Sequence, residues 1–227
     1  MSAALARAVL SPDFGWNASI AEWLAGLFVA PPSADAVVSY RAGMGATFLA
    51  ALAEEPGFAS GVQQMRAAVV VEGSPAAAVR KLAVAFTQLF DGVGGSKTAS
   101  PYESAHVSVS GRLFQAPAGD MEKLLQQSDV STDDVFREPP DHLSIELALL
   151  ARLIRQDTDH EAQARLLDDH LLAWVPIFAK RCRDGDRTGF YAGATRVLTT
   201  FLIAQRASLR VNRITKPRIG VTLCRCD

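Results

Sequence analysis

Few residues in this 227-residue chain are spaced for chemistry. His106, His142, His160 and His170 never fall three or four apart, and none has a cysteine at ligand spacing, so no metal site is expected. Cys224 and Cys226 form a C-x-C pair, two ligands short of a closed tetrahedral site, and read as part of a tail. The run GVGGSKT, Gly92 to Thr98, offers Lys97 as a phosphate-loop lysine. A Walker A loop needs a glycine directly before that lysine and another five positions earlier; this chain has Ser96 and Asp91 there, after a helical rather than a strand pattern. A Gly-rich connector is the expectation. No G-x-S-x-G elbow presents a serine. Cys182 lies between Arg181 and Arg183, which could lower its thiol pKa, but a structural cysteine near a helix end is the expected role. The chain is therefore expected not to be an enzyme and to carry no cofactor.

The segment EPPDHLSIELALLARL, Glu138 to Leu153, differs from these. Asp141 follows two prolines and directly precedes an apolar repeat, so its carboxylate is placed to cap the next turn, a role worth about 1 kcal/mol. His142 then falls in the first helical turn, beside a carboxylate and at the exposed mouth of a break in the chain. Two readings stay open for the pair: a capped helix start with a solvent-facing histidine, or a contact with a ligand.

The elements that must position these residues are helical. Leu143, Leu147, Leu150 and Ile154 lie on one helical face within 141–156, and Leu167, Leu171, Trp174 and Phe178 repeat the spacing. Pro176 should kink or end that second stretch. A third long helix is expected over 187–211, and Ala-rich helices over 19–29, 34–53, 61–71 and 75–90. The alternation in 105–113 stands alone and is expected to be a loop or a short helix. Asp91 to Tyr102 and Ser128 to Asp141 are the clearest breaks, and the second divides the chain into residues 1–130, a hinge at 131–141, and residues 142–227. The expected fold class is all-α in two parts.

Composition narrows the function. Hydrophobic residues make up 49% and mean hydropathy is +0.12, which excludes a disordered chain. Lys plus Arg at 23 nearly cancels Asp plus Glu at 24, so the basic excess of a nucleic-acid binder is missing. Arg7, Pro12 and Asp13 interrupt the apolar start, so no secretory signal is expected, and the Asn17–Ser19 sequon carries no weight. The apolar stretch from Ile20 to Ala30 contains Glu22 and stops at Pro31, short of the roughly 20 residues that span a bilayer. A cytoplasmic protein, not integral to a membrane, is expected.

E-P-x-D-H followed by an E-L-x-L-L-x-x-L helix resembles the signature of the TorD/DmsD family, cytoplasmic chaperones that mature molybdenum-containing redox enzymes exported by the twin-arginine pathway. FTQLF at Phe86 to Phe90, then a Gly-containing loop and Pro101-Tyr102-Glu103-Ser104, is similar to the family's L-F, loop and P-Y-x-S stretch. HLLAWVPIFAK, His170 to Lys180, is similar to its H-L-x-x-W-x-P-x-F helix. The three segments occur in the family's order. The tail KPRIGVTLCRCD and residues Trp16 and Trp23 match no family motif.

The resemblance implies an all-helical bundle, larger in its N-terminal part, with a hinge near E-P-x-D-H. It implies binding of the twin-arginine signal peptide of an apo-molybdoenzyme of the dimethyl sulfoxide or trimethylamine N-oxide reductase type, delay of export, and help with molybdenum cofactor insertion. Phe90, Pro101, Tyr102, Ser104, Glu138, Pro139, Asp141 and His142 are the implied peptide-binding residues. A leader with paired arginines beside an apolar run needs a groove with an acidic edge, and Asp133, Asp134, Glu138, Asp141 and Glu146 cluster around the break. Trp174, Pro176 and His170 are expected to pack the C-terminal helices. Some relatives exchange domains, so a monomer or a domain-swapped dimer is expected. The alternative from another class is an all-helical ligand-sensing regulator, whose basic cluster would be Arg206, Arg210, Arg213, Lys216 and Arg218.

Overall fold

A computed structural model gives the architecture and describes residues 14–71, 73–107, 116–128, 138–157 and 159–215. The helices are α1 (Phe14–Leu27), α2 (Ala34–Ala42), α3 (Met44–Glu54), α4 (Ala59–Val70), α5 (Pro75–Phe90), the single turn α6 (Ser104–Val107), α7 (Ala116–Gln127), α8 (Leu143–Gln156), α9 (His160–Arg165), α10 (Leu172–Gly185) and α11 (Phe190–Thr215). Among the described residues there is no strand, and the one antiparallel bridge pairs Tyr102 with His142. The fold class is all-α, as the periodicity predicts.

Local chemistry sets the helix limits. Ser33 accepts from the Ala36 N–H at 3.1 Å and Ser74 from the Ala77 N–H at 3.2 Å, each cap worth about 1 kcal/mol. Pro75, with no N–H to lose, opens α5, which runs over the expected 75–90. Beyond it, Gly95–Lys97 forms one turn of 3-10 helix in the Gly-rich connector. The helix expected over 34–53 is instead two. Gly43 adopts an extended conformation, and the Ser39 hydroxyl oxygen takes the Gly45 N–H at 2.8 Å, so α2 and α3 meet at a 57° bend. No single helix among the described residues is long and apolar enough to cross a membrane.

Pro176 does not end its helix. A π-helical turn, Leu166–Leu171, joins α9 to α10, and α10 continues through Pro176 to Gly185. Wide turns of this kind often mark functional positions in a helix.

The core is built around α8, which packs along α1, while α4 packs along α11. Leu143, Leu147, Leu150 and Ile154 are buried as the spacing requires, and so are Ile145, Leu149 and Leu153. Only Ala148, Arg152, Arg155 and Gln156 of α8 reach solvent. Trp174, Tyr191, Phe28, Phe178, Phe190 and Phe201 are fully buried. Each large apolar side chain contributes roughly 1.5–3 kcal/mol on burial. Trp174 and Cys182 belong to this core, and burial pushes the Cys182 thiol pKa up, which fits an unreactive structural cysteine.

Residues 131–137 of the expected hinge, with Asp133 and Asp134, lie outside the described residues, as do Lys216, Arg218, Cys224 and Cys226.

A buried seam between two loops as the candidate functional site

Two segments far apart in sequence are sewn together. The first follows α5 and runs through Pro101 and Tyr102 into α6; the second is Glu138 to His142, leading into α8. The Leu143 N–H donates to the Pro101 carbonyl at 2.9 Å and the Glu103 N–H to the Asp141 carbonyl at 3.0 Å. Pro139 and Pro140 cannot donate from their backbone, which leaves the second segment extended and turned, with the His142 N–H bonded to the Pro139 carbonyl at 3.0 Å. The rings of Tyr102 and His142 meet edge to face, 4.9 Å between centroids.

The capping roles differ from the sequence expectation. Asp141 does not cap α8. Its Oδ2 accepts from the Ser104 N–H at 2.9 Å and also from the Ser104 hydroxyl, so it caps α6 on the other loop. His142 occupies the N-cap of α8, extended at φ −75° and ψ 134°, and its Nδ1 accepts from the Ser144 N–H at 3.1 Å. The expected solvent-facing histidine is buried, and Asp141 is completely so. Asp141 and the histidine that follows it look alike in sequence as cap acceptors; the partner loop that claims Asp141 is 37 residues away.

Burial governs the protonation of the seam. His142 is pushed down to about 4 by desolvation, against the opposing pull of Glu138 and Asp141. Its ring is therefore neutral near pH 7, as an accepting Nδ1 requires. Tyr102 is held well above the usual phenol range, chiefly by burial and then by its hydrogen bond to Glu138, to which its hydroxyl donates.

Below the seam lies a chain of buried acids, including Glu146, expected at the acidic edge of a groove. Glu103 is buried, with Oε2 2.8 Å from Nδ1 of His170, which the π-helical turn carries. Glu146 is wholly buried on the apolar face of α8 and accepts from the Trp174 indole N–H at 3.1 Å. Desolvation raises the Glu146 carboxyl well above its ordinary value, and the neighbouring Glu103 and Asp141 raise it further. With both glutamates ionised, Oε1 of Glu146 has no donor. A proton on Glu146, directed at Glu103, resolves that shortfall. His106, stacked on Trp174 at 5.2 Å, lies 2.7 Å through Nε2 from the Ser100 carbonyl and is also held below its ordinary pKa by burial. The signal for Glu146 was available: it sits three after Leu143 and four before Leu150, an acid inside an apolar stripe.

The structure thus brings together Pro101, Tyr102, Ser104, Glu138, Pro139, Asp141 and His142. Phe90 is not part of that seam. It is buried in the aromatic core, with ring centroids 4.9 Å from Phe86, 5.1 Å from Tyr191, 5.8 Å from Phe28 and 5.9 Å from Phe178. Of the acidic cluster, Asp141 and Glu146 are buried and Glu138 is exposed. Arg206, at the head of the C-terminal basic run, is tied to Asp168 by two 2.6 Å bonds. Among the described residues no three His, Cys, Asp or Glu side chains are grouped to hold a metal ion.

A helical scaffold whose motif residues knit two loops together belongs to the all-α class. Residues 53–180 match the family model described as "nitrate reductase delta subunit". The chain is 32% identical over 196 residues to the "Chaperone protein TorD" of Aliivibrio salmonicida, covering 82% of this chain and 91% of that one. It is 34% identical to the protein of that name in Aliivibrio fischeri, covering 82% and 91%, and 32% identical to that of Vibrio cholerae, covering 82% and 88%. The chain belongs to the nitrate reductase delta subunit family, alongside these TorD chaperones.

Proposed function

We propose that this protein is a cytoplasmic maturation chaperone that binds the twin-arginine leader of a molybdoenzyme of the dimethyl sulfoxide or trimethylamine N-oxide reductase type, delays its export and assists molybdenum cofactor insertion. The observation that carries the reading is the seam: residues of P-Y-x-S and E-P-x-D-H, separate in sequence, are joined by hydrogen bonds, with Glu138 at its exposed edge. Asp141 and His142 act from beneath, fixing the loops in register. Tyr102 and the exposed Glu138 are the parts a peptide can reach, and the Glu138 carboxylate is the natural acceptor for a guanidinium fork. Pro101 and Pro139 shape the backbone around them. The protein acts by binding rather than turnover, as a monomer or a domain-swapped dimer, with residues 131–141 serving as the hinge between parts 1–130 and 142–227.

Titration of the full chain with a twin-arginine leader peptide from the same genome tests this. One-to-one binding at micromolar strength, about −8 kcal/mol, weakening as salt is added, is the expected result. Failure to bind any twin-arginine leader of that genome overturns it.

A further inference from the structure

Away from the seam, α10 and α11 leave a cavity of about 340 Å³ between them, with Gln64 of α4 at its edge. The close crossing of α4 on α11 brings Gln64 there. A Cβ added to Gly193 would stand 2.6 Å from the Gly61 carbonyl oxygen, so only glycines allow this approach.

The lining divides by chemistry. Ala179 and Ala192 are buried and apolar, and each stands four residues before an arginine: Ala179 before Arg183, Ala192 before Arg196. Each arginine shares a helix face with its alanine, one turn further on, and both are exposed where they line the cavity. Neither arginine has an ion-pair partner among the described residues. Asp184, the acid next to Arg183, is held instead by Lys180 at 2.7 Å. The threonine hydroxyls along α11 already donate to helix carbonyls, Thr195 to Tyr191 at 3.0 Å and Thr199 to Thr195 at 2.9 Å, so each oxygen is left to accept rather than donate.

Asp184 feels the charge of Arg183 but gives its hydrogen bond to Lys180, and guanidinium forks match planar or tetrahedral oxyanions. The volume falls at the small end of ordinary ligand sites, about 300–1,000 Å³. We infer that this cavity binds a small molecule with a doubly charged oxyanion head, either a phosphoryl group or a pair of carboxylates, held by Arg183 and Arg196, with a neutral body that donates a hydrogen bond toward Thr199. None of these residues belongs to the seam, so the inference stands apart from the proposed function.

The test is a heteronuclear NMR titration of the full chain with inorganic phosphate and, separately, with succinate, both at pH 8 and constant ionic strength. Saturable shifts of the Thr195, Thr199 and Gln64 amides, with a Kd of about 1 mM or tighter, are expected for at least one anion. Saturation by phosphate alone identifies a phosphoryl head; saturation by succinate alone identifies paired carboxylates. Arg183→Gln with Arg196→Gln should weaken the binding at least tenfold without changing the melting temperature, whereas Arg152→Gln, an exposed arginine of α8, should not. No saturable shift with either anion, or equal binding by the Arg183/Arg196 double variant, overturns the inference.

Discussion

Ser104 gives both its backbone N–H and its hydroxyl to a single oxygen of Asp141, a residue 37 positions away and completely shielded from solvent. That pair joins the loop after α5 to the loop before α8. Replacing Asp141 by Ala leaves two buried donors without that acceptor, at roughly 1–3 kcal/mol each, so a loss of about 2–6 kcal/mol in urea unfolding is expected. Ser104→Ala should cost less, about 1–2 kcal/mol, because Asp141 keeps the Ser104 N–H. A double-mutant cycle should show coupling above about 0.5 kcal/mol; additive losses would mean the two residues act independently.

His142 predicts an acid limit to stability. Its folded pKa of about 4 lies below the ordinary 6.5, so the unfolded chain takes up the proton first. Stability is full above pH 6.5 and falls as the pH drops from there toward 4, by up to about 3 kcal/mol from this residue. Asn caps helices well and does not titrate. The stability difference between wild type and His142→Asn, measured at pH 7, 5.5 and 4, should therefore move against the wild type. A pH-independent difference would place the proton elsewhere.

Glu146 acts in the opposite sense. Its folded pKa is raised, so above pH 4.5 the unfolded state releases a proton that the folded state keeps, and stability declines as pH rises. Glu146→Gln preserves an acceptor for the Trp174 indole and supplies an N–H toward Glu103 without that penalty. The variant should gain on the wild type steadily from pH 5 to pH 8 in denaturant melts. A wild type that matches it at pH 8 would show Glu146 to be ionised in the fold.

Glycines at the α4–α11 crossing are fixed by contact rather than by backbone angle. Ala at Gly193 meets the Gly61 carbonyl at 2.6 Å, backbone against backbone, and should cost more than about 3 kcal/mol. Gly119 in α7 has nothing within 4 Å of an added Cβ, so Gly119→Ala should stabilise by about 0.5–1 kcal/mol through helix propensity. Thermal melts of the two variants should move in opposite directions.

The all-α class was legible because Leu143, Leu147, Leu150 and Ile154 repeat at helical spacing and are buried as that spacing demands. The break at Gly43 was not, since a hydroxyl from Ser39 rather than a proline diverts the backbone there. Seven of the eight expected site residues converge on the seam, because the motif spacing marks where the chain turns. Phe90 misled for a physical reason: an aromatic at a helix end beside a loop has the same local pattern whether it faces a groove or, as here, four other aromatic rings. Assigning Asp141 to α6 needed the third dimension, because no local rule connects a carboxylate to a serine in another loop.

Glu138 separates binding from folding. It is exposed and touches the seam through the Tyr102 hydroxyl alone among the hydrogen bonds described, so Glu138→Gln should leave the melting temperature unchanged. If its carboxylate receives a leader arginine, the same change should weaken leader binding about three- to tenfold at low salt and flatten its salt dependence, mostly through a slower association rate. Tyr102→Phe, which frees the carboxylate from its phenol partner without removing it, should keep the salt dependence. Stopped-flow association rates at two ionic strengths distinguish the cases: an unaltered salt slope in Glu138→Gln would remove this carboxylate from the peptide contact, while loss of binding in Asp141→Ala alone would point to the seam's integrity rather than to its charge.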